Sequence, residues 1–381
     1  MQYWTYSMDD FASLDGQRVW VMAKGYHPDE GGMQTYAEGV ADAYAASGAA
    51  VTVFTQTSAG PRDFSAGAVR VIDIGPGGGA SVPVRFWRAM RQELRLKGAP
   101  LFTHGTTWRT SVLPMVLRLP YVTTFHGREF MYARGAMLTL MRLVARRAQR
   151  CFAVSHYSAN QLVGRLAPLA TVPLVAWNGL SAWNRSARSP RKENHTPLLA
   201  SLCRLEPRKN IIACVRACAT LRDKGYDFRY LIAGRGPDLE AIKAVVESCA
   251  LEDFVEVAGF VSAERAAQLY ADADIFLHPQ VAADDGRDFE GFGIAIGDAM
   301  AAGAAVIVGE QGGAKELVVE GISGLIVDGA DTDAIVQALE RLLADKQSSQ
   351  KMGRAGQLRA REYFTWKRHI AVILSAIDLN C

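Results

Sequence analysis

Ile275-Phe-Leu-His278, Phe289-Glu-Gly-Phe-Gly-Ile-Ala-Ile-Gly-Asp298-Ala-Met-Ala-Ala-Gly303 and Ala305-Val-Ile-Val308 follow one another within thirty-four residues. A short apolar run rich in β-formers reads as a strand, and so does the last. Between them an acid and a flexible Gly-x-Gly lead into a helix of small residues, as close packing on a sheet requires. The N–H groups of Gly291 to Ile294 stand at that helix start, where they have no intrahelical acceptor and can bind phosphate oxygens. Glu290 sits just outside, placed to bind hydroxyl groups. Asp298 follows eight residues later, roughly 12 Å along a helix, or about two turns in.

The same alternation extends in both directions. Toward the N-terminus, apolar runs predict strands at Val19–Lys24, Val51–Thr55, Val69–Ile74, Leu101–His104, Tyr121–Phe125, Cys151–Ser155 and Val172–Trp177. Helices are expected at Met33–Ser47, Val84–Lys97, Thr110–Leu117, Met137–Ala148 and His156–Arg165. The pattern stops at Asn178–His195, a Ser-, Arg-, Asn- and Pro-rich stretch that reads as a linker. It restarts with strands at Leu198–Leu205, Arg229–Ala233, Val255–Phe260, Ile275–His278, Ala305–Val308 and Gly324–Val327. Apolar strands separated by helix-length segments imply parallel sheets covered on both faces. The expected fold class is α/β, two doubly wound Rossmann-like domains at 1–180 and 196–365, joined by a linker at 181–195. In such sheets ligands bind beyond the carboxyl ends of the strands, so a cleft between the domains is the expected site.

A chain of 381 residues accommodates two domains, and with 49% apolar and 21% charged residues each has the means to bury a core. The net charge of +3 conceals an asymmetry: residues 1–180 hold 18 Lys and Arg against 11 Asp and Glu, so the first half is the basic one. The six cysteines, at 151, 203, 214, 218, 249 and 381, form no Cys-x-x-Cys and read as buried reduced thiols. The N-terminus carries acids early and lacks the basic start and apolar core of a signal peptide. The longest weakly polar stretch, Ile294–Gly309, is too short to span a bilayer. A cytoplasmic location is expected.

Several motifs invite a cofactor or metal. Gly75-Pro-Gly-Gly-Gly-Ala80 fits a dinucleotide fingerprint but follows the third strand, and Pro83 interrupts the turn. Gly234-Arg-Gly236 has Leu239 where the third glycine belongs. Asp272-Ala-Asp274 has the spacing of a metal-diphosphate motif but lies at a helix-to-strand junction, where acids serve turns and caps. The acidic loop Asp284–Asp288 raises the same metal question. No cofactor or metal is expected. Two segments suit an anionic ligand. Gly31 and Gly32 precede a helix and let a phosphate or sugar approach its N–H groups, or else make a tight turn. Arg204, Arg208 and Lys209 cluster after the first strand of the second domain, where a diphosphate or plain solvent is the alternative neighbour.

Taken in order, these residues resemble the large family 4 of retaining GT-B glycosyltransferases (glycosyl transferases group 1), nearest to its bacterial mannosyltransferases. The ordered pieces are Gly31-Gly32, Thr124-Phe-His126-Gly127, Ala153-Val-Ser155, Trp177-Asn178-Gly179, Arg204 to Lys209, Gly234-Arg-Gly236, Gly259-Phe260, Glu290 to Gly303, Gly312 to Glu316 and Phe364-Thr-Trp366. The resemblance implies that Arg204 and Lys209 bind the donor diphosphate and that Glu290 contacts the donor sugar. It implies that the amides of Phe292, Gly293 and Ile294 hold phosphate and that His126 lies beside the sugar. Gly31 and Gly32 would lie near the diphosphate and acceptor, and Phe260 and Val261 would meet the nucleobase. The family's second acid is usually Glu; here it is Asp298, one methylene shorter, at the position that contacts the ribose. A last helix, about 366–381, would cross back to the first domain.

The implied substrate is a GDP- or UDP-linked sugar, with a lean toward GDP-mannose from Asp288-Phe-Glu-Gly-Phe-Gly. The implied acceptor is a glycan or lipid-linked molecule. Arg85, Arg88, Arg91, Arg95 and Lys97 interleave with Phe86, Trp87, Met90 and Leu94, and Arg142, Arg146, Arg147 and Arg150 form a second basic run. These fit a solvated helix face or peripheral contact with an anionic membrane at the inner face of the cell membrane; no nucleic-acid module is visible. A nucleotide-sugar epimerase, a phosphorylase on the same fold, and a non-catalytic nucleotide-sugar-binding protein are the alternatives.

Overall fold

The computed structural model describes residues 13–168, 172–181 and 195–377. Most of the linker expected at 181–195, the start of the chain through residue 12, Cys381 and the end of the helix expected at 366–381 lie outside the described residues. The chain divides into two compact units: residues 1–154, 159–179 and 366–381 form one, and 155–158 with 180–365 the other.

The first unit contains β1 (Arg18–Met22), α1 (Gly32–Ala46), β2 (Ala50–Thr55), β3 (Pro61–Ala66), β4 (Val69–Ile74), α2 (Ser81–Lys97), β5 (Phe102–Gly105) and α3 (Val112–Val116). It continues with β6 (Tyr121–Phe125), α4 (Arg128–Met131), α5 (Gly135–Arg147), β7 (Arg150–Ala153), α6 (His156–Leu166, in this unit from Ala159 onward) and β8 (Leu174–Val175). Its sheet runs β3-β4-β2-β1-β5-β6-β7-β8. All pairings are parallel except β3 with β4. The second unit contains β9 (Leu198–Leu202), α7 (Ile211–Asp223), β10 (Arg229–Ala233), α8 (Leu239–Ser248), β11 (Val255–Gly259), α9 (Ala263–Asp272) and β12 (Ile275–His278). It closes with α10 (Ile294–Ala302), β13 (Ala305–Gly309), β14 (Leu325–Val327), α11 (Thr332–Ala344) and α12 (Lys346–Tyr363). Its six parallel strands run β11-β10-β9-β12-β13-β14. In both sheets the order reverses beside the first strand, between β1 and β5 and between β9 and β12. That reversal is the switch point at which loops part and leave a crevice.

α13 (Trp366–Ser375) belongs to the first unit, where it packs on α1. Gly39 makes the contact feasible: a Cβ there would stand 2.0 Å from the Trp366 ring. Beneath it, Tyr36 Oη meets Thr124 Oγ1 at 2.9 Å, His369 Nε2 at 2.9 Å and His104 Nε2 at 3.2 Å. Tyr44 Oη reaches His104 Nδ1 at 3.1 Å. All five residues are buried.

Some expectations need correction. β3 was not foreseen, because Pro61-Arg-Asp-Phe-Ser-Ala66 is a polar edge strand with alternating exposure and no apolar run. The strand expected at Val172–Trp177 shrinks to Leu174–Val175, and the helix expected at Thr110–Leu117 to Val112–Val116. Pro83 does not interrupt a turn; it lies in the first turn of α2, where a missing N–H costs nothing. α10 begins only at Ile294, because Gly293 at φ 90° is its cap, so Asp298 is one turn in rather than two. The five described cysteines are unpaired, and burial pushes the Cys151 and Cys214 thiols up to about 12. No described helix is long and apolar enough to cross a membrane.

Candidate active site

The second unit concentrates charge at the carboxyl ends of β9 and β12. After β9 a 3-10 turn, Pro207–Lys209, ends on Asn210 at φ 59°, a left-handed conformation that Asn tolerates. The Asn210 side-chain amide donates to the carbonyls of Pro279 at 3.0 Å and Gly329 at 2.6 Å. Val281 N–H donates to the Arg208 carbonyl at 3.0 Å. The turn bearing the cations is therefore tied to the segment leaving β12. Gly234 and Gly236 complete the seat, since a Cβ at either would strike the carbonyl of Cys203 at 1.8 Å or of Leu205 at 2.1 Å. Close backbone approach, not a dinucleotide, explains that glycine pair.

Lys209 Nζ forms an ion pair with Glu290 Oε2, both nearly buried. His278, the last residue of β12 and 1% exposed at its side chain, places Nε2 3.4 Å from Glu290 Oε2 and 3.4 Å from Lys209 Nζ. Arg204 Nη2 meets Glu206 Oε1 at 2.5 Å, and Arg208 Nη1 pairs with Glu206 Oε2 and lies 3.6 Å from Asp288. Burial works against ionising Glu290, but Lys209 and then the neighbouring His278 outweigh it and hold the carboxyl well below its usual range. Burial, with the Lys209 charge, pushes His278 down to about 4, so it is neutral near pH 7. For Arg208, burial is outweighed by Glu290, Glu206 and Asp288, which raise it.

Of the second-unit residues named from sequence, Arg204, Lys209 and Glu290 share this cluster. Arg204 is its exposed rim, with 70% of its side chain accessible. Gly293 and Ile294 open α10 immediately beyond Glu290, while the Phe292 ring turns inward onto Phe364 at 5.6 Å. Phe260 is exposed with Arg235 stacked over it at 4.7 Å, beside half-buried Val261. Asp298 lies outside the cluster: its buried carboxylate accepts the Ser181 N–H at 2.9 Å and hydroxyl at 2.6 Å. Sequence reasoning missed Glu206, His278 and Asn210. The signals were an acid framed by two arginines and a His-Pro at a strand's end.

In the first unit, Gly31 at φ 146° caps α1, and space is open above Gly32, where a Cβ would meet nothing within 4 Å. His126 Nε2 lies 2.9 Å from the Thr106 carbonyl, which can only accept, so Nε2 carries the proton and Nδ1 is the acceptor. Burial lowers the His126 pKa, against the pull of Glu129. Glu129 also accepts the N–H groups of His126 at 2.6 Å and Gly127 at 3.0 Å, fixing the loop. The metal-like motifs are otherwise engaged: Asp274 accepts the Leu198 N–H, Asp272 the Gln268 amide, and Asp284 pairs with Arg287. Among the described residues no group of three or more His, Cys, Asp or Glu is arranged to hold a metal.

Two sheets that reverse beside their first strand, with a cluster of paired charges beyond one of them, fit a nucleotide-binding framework. Comparison with known proteins makes the class specific. Residues 30–173 match the model described as Glycosyltransferase Family 4, and residues 184–359 match Glycosyl transferases group 1. The GDP-mannose-dependent alpha-(1-6)-phosphatidylinositol monomannoside mannosyltransferase of Mycolicibacterium smegmatis is 31% identical over 279 residues, 69% of this chain and 73% of that protein. The amylovoran biosynthesis glycosyltransferase AmsK of Erwinia amylovora is 38% identical over 150 residues, 39% of this chain and 36% of the other. Among solved structures, sucrose-phosphate synthase from Thermosynechococcus elongatus superposes with a TM-score of 0.75 at 20% identity, covering 94% of this chain and 97% of that one. Anabaena HepE in complex with UDP gives 0.72 at 18%, covering 95% and 100%. The chain belongs to glycosyltransferase family 4, with the GT-B fold. It is an enzyme that transfers a sugar from a nucleotide-sugar donor.

Proposed function

We propose that this enzyme transfers a hexose, by preference mannose from GDP-mannose, with retention and without a metal, to a glycan or lipid-linked acceptor of a surface polysaccharide or glycolipid. The observation that carries this reading is the Lys209–Glu290 pair with Arg204 and Arg208 beside it, at the switch point of the second sheet. Residues 196–365 would form the donor domain; residues 1–180 with the helix at about 366–381 would form the acceptor side, joined through 181–195. The similarity to GDP-mannose-dependent relatives supports the sugar and base.

Breaking the anomeric carbon–oxygen bond leaves a nucleoside diphosphate, on which negative charge grows as the sugar becomes cation-like. Arg204, Lys209 and the amides of Phe292, Gly293 and Ile294 stabilise that charge more in the transition state than in the ground state. Glu290 orients the sugar hydroxyls, and His126 lies beside the sugar. Gly31 and Gly32 admit the diphosphate and acceptor, and Phe260 and Val261 meet the base. The departing phosphate assists deprotonation of the acceptor on the same face. A thermal-shift screen of GDP-mannose, GDP, UDP-glucose and UDP tests the donor. GDP-mannose at a hundredfold excess over its Kd adds about 2.7 kcal/mol of stability. A rise with UDP-glucose alone reassigns the base, and no rise with any of the four sinks the reading.

Contact with an anionic membrane at the cytoplasmic face, through the first unit, belongs to the same proposal. α2 leaves Val84, Trp87 and Leu96 exposed beside Arg88, Arg91 and Arg95, with Arg91 over Trp87 at 5.2 Å. Arg85 does not join that face, because it turns inward onto the carbonyls of Ile74 and Pro76. In the second basic run, Arg142 and Arg150 are similarly engaged by the Arg165 and Ala376 carbonyls.

A further inference from the structure

His278 has no part in the mechanism just described, yet it is the residue packed against both members of the central ion pair. Its Nε2 is 3.4 Å from the carboxylate and 3.4 Å from the ammonium. A neutral imidazole nitrogen offers either a proton or a lone pair. Toward Glu290 it has to donate; toward Lys209 it has to accept. One nitrogen cannot do both, so whichever neighbour holds the stronger claim decides. His278 Nδ1 is buried and no described residue hydrogen-bonds it. His126, by contrast, has its tautomer fixed by a carbonyl.

The deciding event is the arrival of the donor. A diphosphate draws the Lys209 ammonium toward itself, and Glu290 then loses its partner inside a nearly closed site, where an unpaired carboxylate is costly. The His278 Nε2–H, 3.4 Å away, is a donor within closing distance, and Arg208 remains the nearby charge. We propose that His278 is a positioning residue: as the diphosphate engages Lys209, His278 donates from Nε2 to Glu290 and keeps the carboxylate aimed at the donor sugar. The inference rests on the assignment of Lys209 and Glu290 above. It is consistent with an imidazole that stays neutral, since burial and the charges of Lys209 and Arg208 oppose protonation more than Glu290 favours it.

The test compares His278→Phe, which keeps the ring but cannot donate, with His278→Gln, whose amide can. For His278→Phe, kcat/KM for the nucleotide sugar is expected to fall about 10- to 100-fold. Its Kd for GDP or UDP, which lack the sugar, should change less than threefold. His278→Gln should recover at least tenfold of the loss. In the wild-type enzyme with 15N-labelled histidine, saturating GDP or UDP should leave His278 protonated on Nε2 and bare on Nδ1. A proton on Nδ1 in that state overturns the proposal whether or not the variants fold. So does equal weakening of sugar-bearing and sugar-free ligands, or a Gln variant no better than Phe. Glu290→Gln and Lys209→Met separate the two failures. If they cost a hundredfold while His278→Phe is silent, the handover is wrong and the site stands. If they too are silent, the site assignment itself is wrong.

Discussion

Among the described residues each unit holds a dense polar cluster, and the two are built on opposite principles. In the second unit Arg204, Glu206, Arg208, Lys209, Asp288 and Glu290 are acids and bases set in adjacent ion pairs, with Arg204 at the exposed rim. In the first, Tyr36, Tyr44, His104, Thr124 and His369 are more completely buried and use hydroxyls and imidazoles alone. Burial keeps those imidazoles neutral, His104 far below its ordinary range and His369 down to about 4. Desolvated ion pairs add little net stability over an apolar core of the same shape. A neutral, satisfied network costs less and fixes geometry. Under the proposed function the charge stands where an ionic ligand would use it, and the neutral network serves as a clamp between α1, the sheet and α13.

The largest effect separating the two is expected at the charged cluster. Lys209→Ala should lower kcat/KM by about 100- to 1000-fold, as loss of a preorganised charge does, in a steady-state transfer assay. It should also cost about 3 kcal/mol in denaturant unfolding, because Glu290 is left buried and unpaired. Tyr36→Phe is the mirror experiment. It removes one hydroxyl that serves three partners, for an expected loss of about 2–3 kcal/mol, while kcat/KM stays within threefold. A large kinetic defect without destabilisation would break the contrast.

Titration sharpens it further. An unfolded histidine binds its proton near pH 6.5. Folded His369 holds off until about 4, so between those values the unfolded chain binds more protons and stability falls as the pH drops. The full contribution of such a group is about 3 kcal/mol, present above pH 6.5 and lost on the way to pH 4. Urea midpoints across that range should show the slope, and His369→Gln should flatten it. The smallest effect is expected at Asp298. If its carboxylate chiefly holds Ser181, Asp298→Asn costs about 1 kcal/mol and shifts the donor KM less than fivefold. A KM rise beyond tenfold with unchanged stability would point to contact with the ribose.

Much of this was readable beforehand, for physical reasons. β4, β6, β10 and β12 fall on the apolar runs that announce them, because strands buried on both faces admit little else. β3 was invisible because an edge strand needs no apolar run. Arg204, Lys209 and Glu290 were legible as residue types in a pattern. Glu206 and His278 were not, since their roles depend on β9 lying next to β12, strands separated by more than seventy residues of sequence. The start of α10 was misplaced because a left-handed Gly293 delays the first helical turn, which spacing alone does not reveal.

Asn210 sets a rule for anyone wishing to change what the enzyme accepts. Its amide spans two carbonyls on separate segments, Pro279 and Gly329, and so fastens the lysine-bearing turn from two sides. Remodelling that turn would disturb three stretches of chain together. Phe260 is exposed beneath the Arg235 guanidinium, and if it meets the base as proposed, it is the more forgiving position from which to retune base preference.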